Sequence, residues 1–148
     1  MKAIKTKYNG YEFRSRLEAR WAVFFNELNI AWEYELEGFE NGQTRYLPDF
    51  YLPDYDLWIE IKPIGHGNKD LNKWLMLSSE KILLVLTGTP HAKPSEIYGL
   101  KPYTMLVIPF ADLINPKYGC FWGCSGSENF GNIEPFKNAI EKSKQQTF

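Results

Sequence analysis

The sequence predicts an α/β fold in which helices pack on a mixed sheet, and three features carry that prediction. Leu17, Trp21, Phe24, Phe25 and Leu28 recur on one face of a helical period. Three short strand-like segments, 32–37, 44–52 and 57–62, follow in close succession, which predicts an antiparallel meander. The run from Lys81 to Thr87 is apolar through its middle and follows a second helical segment, so a crossover returns it to the same sheet.

Each element has a local reason. Asn9-Gly10 lies between aromatic residues and predicts a hairpin over 7–13. Ser15 is a good N-cap for the first helix, and Asn29 a stop. Trp32-Glu33-Tyr34-Glu35-Leu36-Glu37 alternates strictly, as a half-buried strand does. Residues 38–43, with a second Asn-Gly, read as a loop. Pro53-Asp54-Tyr55-Asp56 reads as the turn between the next two strands, with Asp54 favoured there for local hydrogen bonding. Asn68 is placed to cap a helix to about Ser78, with Leu71, Trp74 and Leu75 on one face. Further on, 88–102 is a Pro/Gly-rich connection, Tyr103–Ile108 a strand and 115–132 irregular. A last helix over 132–143 tolerates Pro135 in its first turn. No linker divides the chain, so 1–148 is read as one domain, with a core over about 8–110 and an extension over 111–148.

Composition narrows the class of protein. At 148 residues, 44% hydrophobic and 24% charged, the chain suits a globular domain with a sizeable core. No apolar run reaches the length of a membrane span, and no signal-like segment follows Met1-Lys2-Ala3-Ile4-Lys5, so a soluble cytoplasmic protein is expected. Two cysteines do not make a disulfide scaffold, and Cys120 and Cys124 alone fall short of the four ligands of structural zinc. Net charge is −1, yet it is unevenly spread. Residues 1–20 hold six Lys/Arg against two Glu, net +4, whereas 33–60 hold eight Asp/Glu against one Arg, net −7. A basic arm beside an acidic centre suits a protein that grips phosphates at its edge and holds metal in its middle. Uneven surface charge of no special purpose is the plainer account.

The segment Tyr46–Pro63 repeats Leu-Pro-Asp, at 47–49 and 52–54, before Glu60-Ile61-Lys62. A hairpin closed by 53–56 pairs Leu52 with Leu57, Tyr51 with Trp58, Phe50 with Ile59 and Asp49 with Glu60. Phe50, Leu52, Leu57, Ile59 and Ile61 then share an apolar face; Asp49, Tyr51, Trp58, Glu60 and Lys62 share the other. A slip of one residue would bury the charges, so the pattern favours this register. Opposed residues have Cβ atoms roughly 4.5–5.5 Å apart, so Asp49 and Glu60 repel unless a cation lies between them. A divalent ion does this well, because hard cations take carboxylate oxygens. Lys62 reaches the same point from two residues on. Without a metal, Lys62 alone neutralises a surface hairpin.

Pro48-Asp49, ten intervening residues and Glu60-Ile61-Lys62 resemble the PD-(D/E)xK nuclease superfamily. The helix "FRSRLEARWAVFFNEL" (13–28) before "YLPDFYLP" and "WIEIKP" is similar to short phage and bacterial proteins of that superfamily. Its members include Holliday-junction resolvases, very-short-patch repair nucleases and transposon end-cleaving nucleases. The resemblance spans roughly 8–110 and implies a restriction-endonuclease-like αβββαβ core. It implies a DNA endonuclease in which Asp49, Glu60 and the Ile61 carbonyl hold Mg2+ or Mn2+ and Lys62 positions water or stabilises phosphate charge. It further implies a metal-site glutamate from the first helix, and Glu18 is the matching position. Glu18 lies about 20° outside the apolar stripe of that helix. Ser15-x-x-Glu18 is also a capping box, so two roles fit the residue.

The DNA substrate so implied is a branched or site-specific duplex, cut by a monomer or a homodimer in a bacterium or phage-infected host. Arg14, Arg16, Arg20, Lys69 and Lys73 are candidates for backbone phosphates, with the Lys2/Lys5/Lys7 arm. Tyr51 and Trp58 are candidates for stacking on bases or on each other. His66, in a glycine-flanked loop, is a weaker candidate for a phosphate contact or a base. The alternative, from another class, is a nuclease-fold protein that binds nucleic acid or a protein without cutting.

Overall fold

The computed structural model describes residues 3–67, 69–90 and 134–148. The expected cap at Asn68, the strand over 103–108, the irregular stretch 115–132 and the Cys120/Cys124 segment lie outside these. The fold is mixed α/β. Thr6–Tyr8 (β1) and Tyr11–Phe13 (β2) pair through the Asn9-Gly10 turn, both residues of which have positive φ. Arg16–Glu27 forms α1, capped by Ser15 and ended at Asn29, whose φ is 56°. Glu33–Tyr34 (β3), Phe50–Leu52 (β6), Leu57–Lys62 (β7) and Leu83–Thr87 (β8) make the main sheet, ordered β3-β6-β7-β8. Leu71–Ser78 (α2) carries the chain from β7 to β8, and these two strands are parallel; the other pairings are antiparallel. Glu134–Gln145 forms α3, which packs against α1.

The β6–β7 hairpin has the expected register, with Phe50 opposite Ile59, Tyr51 opposite Trp58 and Leu52 opposite Leu57. Its turn forms over Leu52–Tyr55, where the Tyr55 amide donates to the Leu52 carbonyl at 3.1 Å. Pro53 supplies the preset φ of such a turn.

Three expectations needed correction. The strand over 32–37 is only two residues long, because Glu35 turns left-handed (φ 48°) and its amide bonds the Asp49 carbonyl at 2.9 Å. The segment 44–52 is not one strand. Pro48 has no N–H for a ladder, and the chain divides around Leu47–Asp49 into Thr44–Tyr46 (β5) and β6. The supposed loop 38–43 holds Phe39–Asn41 (β4), which pairs with β5 as a separate hairpin.

Among the described residues two clusters fill the core, one on each face of the sheet. Phe50, Leu52, Leu57, Ile59 and Ile61 pack against Trp21, Phe24 and Phe25 of α1, with Ala139 and Ile140 of α3 in the same cluster. On the opposite face Tyr46, Trp58, Trp74, Leu77, Leu83 and Val85 cluster. The hairpin β4–β5 and α2 therefore cover much of it. Glu60 emerges at the edge of this cover, and that places the site.

Candidate active site

Continuing the β6–β7 register by one residue sets Asp49 opposite Glu60, and both are buried. Asp49 lies just before β6, fastened by its own side chain: the Ile61 amide donates to Oδ2 at 2.7 Å. Burial pushes the Asp49 carboxyl well above the usual carboxylate range. The Glu60 and Glu18 charges and a hydrogen bond with Glu60 add to this, and the Ile61 amide opposes it. The two carboxyl groups thus sit opposite each other in a buried setting that favours the neutral form of Asp49. The Tyr46 hydroxyl, at the end of β5, donates to Glu60 Oε2.

Glu18 comes from α1 to the same neighbourhood. Its Oε2 accepts from Ser15 Oγ at 2.6 Å, while its amide donates to Ser15 Oγ at 3.1 Å. Its Oε1 accepts from the Tyr34 hydroxyl at 2.8 Å, and that hydroxyl accepts from the Arg14 amide at 3.0 Å. The local bond to Ser15 is present, and Glu18 also lies near enough to act on the charge of Asp49. Among the described residues, however, no three His, Cys, Asp or Glu side chains are grouped as a set that could hold a metal ion.

Lys62 is ion-paired with Asp70, not with the carboxylate pair. Its Nζ lies 2.6 Å from Asp70 Oδ2, with the two side chains only 20% and 15% exposed. Lys73 approaches the other Asp70 oxygen at 3.4 Å. Burial lowers the pKa of Lys62, but the Asp70 hydrogen bond and the charges of Glu60, Asp70 and Asp49 outweigh it and raise the net value. For Asp70, burial raises the pKa, but Lys62 and Lys73 prevail and lower it. Asp70 immediately precedes α2 yet makes no side-chain cap bond, because the lysines hold its carboxylate.

Part of this set lines an open cleft of about 590 Å³, and Glu18 is not among the lining residues. Asp49, Glu60, Lys62 and Asp70 are in its lining, with Arg14, Arg45 and Lys73 as further cations and β4–β5 as one wall. Of the expected phosphate contacts, Arg14 and Lys73 are therefore at the cleft, and Arg16, Arg20 and Lys69 are not among its lining residues. Arg14 is paired with Glu35 at 2.6 Å. Arg20 instead binds the end of α3, where its Nη1 donates to the carbonyls of Ser143, Lys144 and Gln146. Lys5 and Lys7 also lie outside the cleft lining. Trp58 is 4% exposed and stacks on Tyr51 at 4.5 Å between centroids, so the pair is cross-strand packing. His66 Nδ1 lies 3.0 Å from the Gly67 carbonyl.

Tyr34, Tyr46, Asp70 and Arg45 were not singled out from the sequence. The sequence pattern puts the cap of the second helix at Asn68, so Asp70, which takes the N-cap position and pairs with a lysine eight residues back, draws no attention. Tyr46 and Arg45 belong to a hairpin that the sequence pattern does not reveal. Comparison with known proteins adds no assignment, for no family model, curated protein or solved structure matches this chain.

Proposed function

We propose that this chain is a divalent-metal-dependent DNA endonuclease with a restriction-endonuclease-like core. One observation carries the reading: two carboxyl groups, Asp49 and Glu60, are buried side by side in a cleft that also holds Lys62 and three further cations. Burying such a pair is costly unless something positive joins it. The order α1, β3, β6, β7, α2, β8 supports the fold proposal, being helix, three strands, helix, strand once the β4–β5 hairpin is set aside.

The donors fit Mg2+ or Mn2+. Both carboxylates are hard oxygen ligands, and Mg2+ is commonly held by one or two carboxylates with waters and substrate phosphate rather than by a full protein cage. The ion would supply a water of lowered pKa and positive charge for the scissile phosphate. Asp49 and Glu60 would hold it, with the Ile61 carbonyl as a third oxygen. Glu18 is assigned a place beside Asp49, adding negative potential, since both its oxygens already accept hydrogen bonds. Lys62, kept protonated by Asp70, stabilises charge on phosphate oxygens and positions the attacking water. Arg14, Arg45 and Lys73 contact flanking phosphates. We place this activity in the cytoplasm of a bacterial or phage-infected cell.

A second reading, a nuclease fold that binds without cutting, is favoured by one observation: Lys62 is ion-paired with Asp70. Incubation with supercoiled plasmid and Mg2+ or Mn2+ decides between them. Cleavage that is lost in EDTA and in Asp49→Ala, Glu60→Ala and Lys62→Ala is the expected result. Cleavage surviving those substitutions sinks the site. Absence of cleavage on any DNA form, with no metal bound, favours the binding-only protein.

A further inference from the structure

We propose that Tyr46 is a positioning residue for the metal site: its hydroxyl holds one oxygen of Glu60 and leaves the other for the ion. The proposal rests on the reading of Glu60 as a metal ligand. Tyr46 ends β5, outside the strands that carry the carboxylates, and its side chain is buried. Trp58, Trp74, Leu77, Leu83 and Val85 share its cluster, and Phe39 on the paired strand β4 packs on Trp58 at 4.9 Å between centroids. The ring therefore has little freedom, and the direction of its hydroxyl is set by packing. That hydroxyl donates to Glu60 Oε2.

The phenol remains a donor. Burial pushes its pKa up, as do the neighbouring charges of Glu60, Asp49 and Asp70. A carboxylate on an extended side chain otherwise has several rotamers, and each costs ordering when an ion binds. With Oε2 held by Tyr46, the group is fixed before the ion arrives. Asp49 is fixed in the same manner by the Ile61 amide. Partners that orient a metal ligand from behind typically change metal affinity about 10–100-fold when removed. The plainer account is that a buried tyrosine needs some acceptor and Glu60 happens to supply it. In that account, loss of the hydroxyl changes stability and leaves ion binding alone.

Titration calorimetry of the full chain with Mn2+ separates the two. Tyr46→Phe is expected to bind Mn2+ about 10–100-fold more weakly than wild type. Tyr51→Phe, which removes a hydroxyl bonded to Asp56 rather than to the site, is expected to match wild type. An unchanged affinity in Tyr46→Phe, with wild type binding, overturns this inference and leaves the nuclease reading intact. A wild-type chain that binds no Mn2+ and cuts no DNA overturns both. Carbon NMR of the tyrosine-labelled wild type guards against a variant that does not fold. Saturating Mg2+ is expected to move the Tyr46 Cζ resonance and not that of Tyr51, and a stationary Tyr46 resonance overturns the proposal.

Discussion

Arg20 distinguishes a phosphate contact from a helix clamp, and Arg20→Met tests which it is. Methionine keeps an aliphatic stem and removes the guanidinium fork. In the folded chain that fork donates at 2.9 Å and 3.1 Å to the Ser143 and Lys144 carbonyls, and at 3.4 Å to Gln146. It also lies 5.3 Å from the centroid of the Phe148 ring. The last carbonyls of a helix lack intrahelical partners, so a cation there satisfies them and meets the negative end of the helix. Two good hydrogen bonds contribute about 1 kcal/mol each, the longer third little. The ring contact adds about 0.5–1 kcal/mol at a partly exposed position. The total is about 2–3 kcal/mol, which for a chain of this size lowers Tm by roughly 4–12 °C. Differential scanning calorimetry measures it, and DNA affinity measured in parallel, under conditions where both proteins are folded, should not change. An unaltered Tm together with weakened DNA binding would refute the clamp and return Arg20 to the phosphate contacts.

Other predictions concern the cleft. The Asp49 carboxyl is raised in the folded state, so the native chain binds more protons than the unfolded one. The metal-free protein therefore loses stability as pH rises above about 3.9, the unfolded value, toward the folded one. In EDTA at neutral pH, Asp49→Asn should melt above wild type. That advantage should fade below about pH 4, and Mn2+ should no longer stabilise the variant; a variant less stable than wild type at neutral pH contradicts repulsion between the two carboxylates. Asp70→Asn frees Lys62, so amine-labelling of Lys62 should rise and DNA turnover fall by about 10–100-fold with Mn2+ affinity unchanged. Unaltered labelling would show that Asp70 does not hold the lysine. Alanine at Arg14, Arg45 or Lys73 should each reduce the salt slope of DNA binding by about 1, whereas alanine at Arg16 or Lys69 should leave it unaltered. A uniform effect of all five would point to general charge rather than to the cleft.

The sequence by itself determined what depends on local periodicity. The α1 stripe, the Asn9-Gly10 turn and the hairpin register follow from side-chain alternation and turn chemistry over spans shorter than 20 residues. That register was enough to bring Asp49 to Glu60 and to separate Asp49 from Asp54. Tertiary structure decided what each polar group meets. Alternation tells which face Glu60 points to, but not that α2 and the β4–β5 hairpin cover that face and bring Tyr46 to Glu60. It likewise puts Lys62 beside Glu60, while the strand-to-helix connection puts Asp70 against its ammonium group. Arg20 reads as one more surface cation until α3, more than 110 residues later, presents its carbonyls. Charges and hydroxyls take their partners from the assembled surface, and those contacts join segments with no periodic relation in the chain.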